Sequence, residues 1–264
     1  MLRNLKELYQ YRALLSALIA RELKARYRGS SLGFLWTFLN PTLLMLVYAL
    51  IFSVYMRQSM ERYLLFMFVG LLPWIWFSGS VGGGASAISD RRDLLTKVKF
   101  PAQVLPATVV LTNAINYLFA LPLVGVMMIA YGMAPTPALL LLPVLVLVQL
   151  CFTLGCTYLV SAINVTFRDM QHIVSNLMTL WFFLTPILYP VTNVPEQAGG
   201  LPARTLVLYL NPMSGIIAAY QDVLYYQRLP SAGPLLVSAV VSAVLLVVSA
   251  AYFESRREDF AEFA

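Results

Sequence analysis

The sequence predicts an all-α, polytopic membrane protein with six transmembrane helices, and its composition is the first reason. Hydrophobic residues make up 60% of the 264 residues, charged residues make up 11%, and the mean hydropathy is +0.76. Soluble domains are about 45–50% apolar and about 25% charged. A soluble chain of this length cannot bury so much apolar surface in one core. The composition therefore argues against the soluble enzyme classes.

Six apolar stretches approach the length of about 17–25 residues that a helix needs to cross a bilayer. They are, in order, 34–55, 63–88, 104–131, 138–165, 173–190 and 234–253. The fifth is the shortest and contains polar residues. Each of the six is predicted to form a transmembrane helix.

A seventh apolar stretch, 206–226, is interrupted by Asn211-Pro212 and carries Asp222. Proline lacks a backbone donor and stops a continuous helix. We therefore expect two short helices that dip into the outer leaflet, rather than another span. If this stretch did span, the C-terminus would change sides.

The distribution of basic residues predicts the orientation. With six spans, both termini lie on one side, and 14 of the 18 lysines and arginines fall in segments assigned to that side. Cytoplasmic loops of membrane proteins carry an excess of Lys and Arg. Both termini are therefore predicted to be cytoplasmic, and the net charge of +6 is explained without a nucleic-acid partner.

The N-terminal 33 residues contain apolar positions at helical spacing with basic residues around them. The apolar positions are Leu5, Leu8, Tyr11, Leu15, Leu18 and Ile19. This pattern is typical of an amphipathic helix that lies on the cytoplasmic face of the membrane. The alternative is a basic flank that anchors the first span.

The spans as drawn contain no Asp, Glu, Lys or Arg. Ion-coupled carriers usually keep an ionisable group in the membrane, although unwound carbonyls can also hold sodium. Asp90 and Asp93 each have an arginine neighbour, which favours a solvated ion-pair turn over a metal site. The chain has neither clustered catalytic groups nor a P-loop motif. We expect it to be no enzyme and to bind no cofactor or metal, with any ATP hydrolysis on another subunit.

Three predicted cytoplasmic segments carry recognisable motifs. They are the basic run 21–36, which ends in Gly-Ser-Ser-Leu-Gly-Phe-Leu-Trp and precedes Asn40-Pro41, the segment 93–101, Asp-Leu-Leu-Thr-Lys-Val-Lys-Phe-Pro, and the segment 164–169, Asn-Val-Thr-Phe-Arg-Asp. Together with the span count, they resemble the permease subunits of type-2 ABC exporters. Within that family, the chain is most similar to the branch that exports lipid-linked polysaccharides such as O-antigen, capsule or teichoic acid. The likeness covers essentially the whole chain.

The resemblance implies a single transmembrane permease domain, 1–264, in the bacterial inner membrane. It implies a homodimer of this chain with two copies of a separate ATPase, which together export a lipid-linked glycan through a channel at the dimer interface. ATP and Mg would bind the partner subunit. Two other hypotheses stay open: an exporter of a drug or small lipid, and a membrane scaffold subunit with no conduit.

By the same resemblance, the segment 89–100 is the coupling helix that contacts the ATPase. The residues assigned to ATPase coupling are Asp90, Asp93, Leu94, Leu95, Lys97, Val98, Lys99, Phe100, Phe167, Arg168 and Asp169. Leu94, Leu95 and Val98 offer an apolar face, and the last three residues of the set make a second, smaller contact. The alternatives are an ordinary basic loop for 89–100 and a local ion pair that ends the fourth span.

The turn from the N-terminal helix into the first span is, by resemblance, the cytoplasmic gate. Its residues are Arg26, Tyr27, Arg28, Gly29, Leu32 and Gly33. The glycines permit a bend. The arginines suit the pyrophosphate of a lipid carrier, because guanidinium binds phosphate bidentately. Anionic lipid head groups are an equally good partner.

Two stripes at helical spacing are candidates for the glycan path. The first comprises Phe34, Phe38, Pro41, Met45, Tyr48, Phe52 and Tyr55, and the second comprises His172, Asn176, Thr179, Phe183 and Pro186. Sugars present C–H faces that stack on aromatic rings. The alternatives are helix packing for the first stripe and interhelical hydrogen bonding for the second. Trp181 and Phe182 are expected to face lipid.

The segment 191–230 is the predicted extracytoplasmic gate region. It contains a loop rich in Gly and Pro at 193–204 and the broken helix at Asn211-Pro212. Tyr220, Tyr225 and Tyr226 are expected to flank the exit.

Overall fold

The structure is a computed structural model that describes residues 9–27, 29–55, 60–91, 100–257 and 260, without the side chains of 26, 27, 34, 49 and 53–55. The regular structure in this part of the chain is helical, apart from one isolated antiparallel bridge between Ala198 and Leu201. The predicted all-α class is therefore confirmed.

Nine α-helices follow one another along the described residues. They are α1 Arg12–Tyr27, α2 Trp36–Ala49, α3 Tyr63–Ala85, α4 Val104–Ala130, α5 Leu142–Thr166, α6 Met170–Leu184, α7 Ala203–Leu210, α8 Pro212–Leu224 and α9 Ala232–Ser255. A π-helical segment, Leu50–Tyr55, extends α2, and 3-10 turns lie at Gly33–Leu35, Ser89–Arg91, Pro137–Leu141 and Val191–Asn193.

Among the described residues, four helices are long and apolar enough to cross a membrane. They are Tyr63–Ala85, Val104–Ala130, Pro137–Thr166 and Ala232–Ser255. They coincide with the second, third, fourth and sixth predicted spans. The first predicted span contains the shorter apolar helix Trp36–Phe52. The fifth predicted span contains α6, which has only 15 residues. The count of six spans stays a prediction.

Helix α3 forms the centre of the bundle and packs against α2, α4, α5, α6 and α8. The side chains of Leu65, Phe66, Met67, Phe68 and Phe77 are completely buried. Small residues bring the neighbouring helices close, as is usual for helices in membranes. A Cβ atom at Gly84 of α3 would overlap the side chain of Thr157 on α5.

The two described ends of the chain lie at the same end of the bundle. Leu18 of α1 packs against Phe100 and Leu105 at the start of α4. Phe260 packs against Phe253 near the end of α9, with ring centroids 4.7 Å apart. This end, which also holds the end of α3 and the α5–α6 turn, is called the α1 end below. Its assignment to the cytoplasm stays a prediction.

The predicted break at Asn211-Pro212 is confirmed, because the two short helices α7 and α8 meet there. The Asn211 side-chain oxygen accepts hydrogen bonds from the backbone N–H groups of Met213 (3.2 Å) and Ser214 (3.4 Å). An asparagine in this position caps a helix, and a proline just after it suits the first turn. Local chemistry therefore both stops α7 and starts α8.

Candidate functional site

The 3-10 turn Ser89–Arg91, which begins the predicted coupling segment, is bound to helix α1. Arg91 forms a salt bridge with Glu22 of α1, and both side chains are about three quarters buried. Burial and the nearby Arg21 lower the pKa of Arg91. Asp90 is exposed and accepts a hydrogen bond from the Ser86 hydroxyl at 2.6 Å. The turn and α1 are thus joined by one ion pair.

The remaining residues of the predicted coupling segment are divided between the undescribed stretch and the start of α4. Asp93, Leu94, Leu95, Lys97, Val98 and Lys99 lie outside the described residues. Phe100 is 8% exposed and packs against Leu18 of α1 and Leu105 of α4. Its ring therefore contacts the chain itself, and its role in ATPase docking stays a prediction.

The second predicted ATPase contact lies in the turn between α5 and α6. Phe167, Arg168 and Asp169 are all exposed. Arg168 and Asp169, both described, form no salt bridge with each other, so the alternative of a local ion pair between them finds no support. The Asp169 carbonyl instead accepts the backbone N–H of His172 at 3.0 Å, at the start of α6.

The predicted bend before the first span is present. Gly29 and Gly33 have φ angles of +78° and +48°, in the left-handed region that favours glycine. A Cβ atom at either position would meet nothing within 4 Å, so backbone conformation rather than space requires glycine. Leu32 between them is exposed. Arg28 and the side chains of Arg26 and Tyr27 lie outside the described residues.

The aromatic stripe of the first span faces the bundle within this chain. Tyr48 stacks on Phe182 of α6 at 5.5 Å, and Phe52 lies 6.3 Å from the ring of Tyr63. Phe38 is half-buried, Pro41 and Met45 are buried, and the side chains of Phe34 and Tyr55 lie outside the described residues. These contacts are those of helix packing, and the role of the stripe in a glycan path stays a prediction.

The second stripe is exposed. Four of its members, His172, Asn176, Thr179 and Phe183, lie on the accessible face of α6. The fifth, Pro186, is buried, and its carbonyl accepts a hydrogen bond from Gln221 at 2.8 Å. The four exposed side chains are therefore available to a conduit or to a second copy of the chain.

The prediction that Trp181 and Phe182 face lipid is wrong. Trp181 packs edge-on against Phe77 at 5.2 Å, and its indole N–H donates to the Asn211 side chain at 2.8 Å. Phe182 is 7% exposed and lies 5.7 Å from the ring of Trp74. The two residues join α6 to the core because α6 presents its Val174, Met178 and Phe182 side to α3.

In the predicted outer gate region, Tyr220 does not lie where the sequence predicts. That residue is completely buried in α8, 5.9 Å from the ring of Tyr117, so it does not flank an exit. Tyr225 donates a hydrogen bond to the Glu61 carbonyl. Tyr226 is 39% exposed and lies under the guanidinium of Arg228.

Arg228 and Asp222 form a tight ion pair in this region. The two side chains are 2.7 Å apart, and Asp222 is 6% exposed. Burial of a carboxylate is tolerated when a cation pairs with it. The pair therefore holds the loop after α8 against the helix, which explains how the broken helix accommodates its one acidic residue.

Sequence reasoning missed a cavity inside the predicted spans. It has a volume of about 240 Å³ and lies between α2, α3 and α4. Its polar and aromatic wall includes Trp36, Thr37, Asn40, Trp76, Asn113 and Asn116. The predicted spans were searched for charged residues, and the wall of this cavity contains none among the described residues. The feature that could have indicated the cavity is the presence of three asparagines, Asn40, Asn113 and Asn116, within apolar stretches.

Comparison with known proteins identifies the family of this chain. Residues 13–225 match the model of the ABC-2 type transporter family. The O-antigen export system permease protein RfbA of Myxococcus xanthus is 63% identical over 262 residues, which cover 99% of both chains.

Two more distant relatives also match along most of their length. A Klebsiella pneumoniae protein named O-antigen export system permease protein RfbA is 30% identical over 250 residues, 94% of each chain. The polysialic acid transport protein KpsM of Escherichia coli is 24% identical over 248 residues, 92% of this chain and 93% of its own. With a family match over most of its length and a helical bundle of membrane-spanning length, the chain belongs to the ABC-2 type transporter family.

Proposed function

We propose that this protein is the transmembrane permease subunit of an ATP-driven exporter that moves an O-antigen-like, lipid-linked polysaccharide out of the cytoplasm. The observation that carries the proposal is the 63% identity to the Myxococcus xanthus O-antigen export permease over 99% of both chains. The Escherichia coli relative, a polysialic acid transport protein, extends the same substrate class to a second polysaccharide.

The proposed assembly is a homodimer of this chain with two copies of a separate ATPase. The sequence contains no P-loop motif, so ATP hydrolysis requires another subunit. The exposed face of α6 carries the large apolar side chains Leu180, Phe183 and Leu184 beside the polar Asn176. Such a mixed face suits a second copy and a wet conduit better than lipid alone.

The α1 end is proposed to face the cytoplasm of a bacterium, with the protein in its inner membrane. Excess Lys and Arg in the segments of this end supports the orientation. In this arrangement the residues 1–33 form the interfacial helix and the cytoplasmic gate loop, 89–100 meets the ATPase, and 191–230 closes the outer side. The arginines before Gly29 would hold the carrier pyrophosphate or lipid head groups.

The test is deletion of the gene, followed by glycan staining of the cell surface and of membrane fractions. Export predicts loss of the surface polysaccharide, accumulation of the lipid-linked polymer inside, and restoration of both by a plasmid copy. Deletion of the partner ATPase gene should produce the same phenotype. Unchanged surface polysaccharide would reject the proposal, and drug sensitivity of the mutant would then favour the small-substrate exporter.

Co-purification with an ATPase distinguishes the permease hypothesis from the scaffold hypothesis. A tagged permease should retain the ATPase in detergent at equal stoichiometry. A permease that never retains an ATPase would favour the scaffold.

A further inference from the structure

We propose that the cavity between α2, α3 and α4 is a binding site for one uncharged sugar unit. The inference rests on the proposed function and deepens it, because it names residues that would hold an individual sugar ring. It concerns a site separate from the two stripes predicted along the first and fifth spans.

The cavity lies between apolar helices of the bundle, toward their α1 end. Asn113 follows the first residue of α4, Val104, by nine positions, and Trp76 precedes the last residue of α3, Ala85, by nine. At 1.5 Å per residue, both lie about 14 Å from the α1 end of their helices. Trp36 and Thr37 of the wall are the first two residues of α2, so the cavity extends to the α1 end of that helix. Amides between apolar helices favour contact with protein, water or a polar ligand.

The polar groups of the wall are neutral. Asn40, Asn113 and Asn116 supply amide donors and acceptors, and no charged side chain lines the cavity within the described part of the chain. A phosphate or a carboxylate would lack a cation here, and its desolvation would oppose binding. An alkyl chain would offer no hydrogen bond to the wall amides, of which the Asn113 side-chain N–H also donates to the Ser80 hydroxyl at 3.3 Å. A hydroxyl-rich, uncharged group satisfies both conditions.

Two indole rings of the wall are fixed in place. The N–H of Trp36 donates to the Ser30 hydroxyl at 3.0 Å, and the N–H of Trp76 donates to the Val110 carbonyl at 3.2 Å. Trp76 also stacks on Tyr117 at 5.2 Å. Because both indole N–H groups are already engaged, the rings contribute apolar surface rather than donors. Apolar ring surface beside amides suits a sugar, which has C–H faces and hydroxyl edges.

The size and the entrance of the cavity agree with one sugar ring. A volume of about 240 Å³ is below the range of about 300–1,000 Å³ for drug-sized ligands. Asn40 on α2 is exposed and therefore lies at the mouth. Its neighbour Pro41 belongs to the predicted aromatic stripe, so the mouth adjoins the proposed glycan path.

The test is photo-crosslinking of the purified permease–ATPase complex. The probe is a neutral hexose disaccharide that carries a diazirine, and the labelled peptides are identified by mass spectrometry. Labelling should fall on peptides that contain Asn40 and Asn113, and excess unmodified disaccharide should compete it away. The same probe with a uronic acid in place of one hexose should label these peptides at least tenfold less.

Variants at the wall make the test specific. Asn40→Leu removes an exposed amide with little risk to folding and should reduce labelling about tenfold, while Asn40→Gln should retain most of it. Asn113→Leu should act in the same direction from the opposite wall. Gln171→Leu, at an exposed amide in the first turn of α6 and outside the assigned site residues, should leave labelling unchanged. In cells, Asn40→Leu should lower surface polysaccharide several-fold at a normal permease level.

The possible results of these experiments distinguish failure of the proposed sugar site from failure of the proposed export function. Labelling that is absent, that resists competition, or that is equal in Asn40→Leu would show that the cavity holds only water, and would overturn the proposal. If gene deletion abolishes surface polysaccharide while Asn40→Leu displays it normally, the site is rejected and the export function stands. If deletion leaves surface polysaccharide intact, both are rejected.

Discussion

Gly155 sets how closely α5 and α9 approach each other. A Cβ atom at this position would lie 3.0 Å from both the Leu245 Cγ and the Leu246 backbone nitrogen. The side chain of Leu245 can change rotamer, but the backbone of α9 cannot move without separating the two helices. Close backbone approach at small residues is a main source of helix association in membranes.

We expect Gly155→Ala to destabilise the protein by about 1–3 kcal/mol, because overpacking forces the helices apart. Fluorescence-detected size exclusion after heating, on the purified protein, measures the effect as a lower midpoint temperature. Gly125→Ala is the matched control, since a Cβ atom there meets nothing within 4 Å. The control should be neutral or slightly more stable. Equal midpoints for both variants would contradict this account.

At the scale of the element, helix α6 has one side that packs against the bundle and one side that is exposed. Phe182 and Phe183 are consecutive, yet Phe182 is 7% exposed and Phe183 is 57% exposed. Consecutive residues on a helix point about 100° apart, so one reaches the aromatic cluster around Trp74 and the other does not. The exposed side is the one that carries the predicted path residues Asn176 and Thr179.

The pair therefore provides a matched comparison. Phe182→Ala should reduce stability by about 3 kcal/mol, as expected for a buried phenylalanine, with surface polysaccharide lost only because less permease is present. Phe183→Ala should leave the free energy of unfolding within about 0.5 kcal/mol of wild type and should still lower surface polysaccharide. Normal export by Phe183→Ala would exclude this side chain from the path and from any essential dimer contact.

At the scale of the whole molecule, the proposed function assigns contact with the ATPase to the α1 end. The Glu22–Arg91 ion pair joins the helix before the gate to the turn that begins the coupling segment. One rigid contact between these two elements would move the gate together with the segment. The pair is therefore a candidate for transmission, in addition to its contribution to stability.

We expect Glu22→Arg and Arg91→Glu each to reduce surface polysaccharide several-fold, because each leaves like charges facing one another in a partly buried position. The double exchange should restore most of it. The control is the exchange of Glu254 and Arg257, an ion pair at the same end that joins neighbours along the chain and should have little effect. Failure of the double exchange to restore export, at normal permease levels, would reject the transmission role.

Features that depend on a short stretch of chain were predictable. Four helices of membrane-spanning length follow from the length and hydropathy of single segments, and the helix break follows from Asn211 and Pro212 alone. The bend at Gly29 and Gly33 likewise reflects the freedom of a residue without a side chain. Each of these is decided by interactions between residues that are close in sequence, which the order of amino acids displays directly.

The side to which each residue points was decided by the tertiary structure. Trp181, Phe182 and Tyr220 were expected at the surface, and all three pack inward against aromatic rings from helices far away in sequence. The same holds for the cavity, whose asparagines come from α2 and α4 and meet only after both helices pack on α3. By itself, the sequence determined the all-helical class and four helices of membrane-spanning length, because backbone hydrogen bonding and hydropathy act locally. Only the tertiary structure decided which faces are buried, because burial depends on the neighbours that packing supplies.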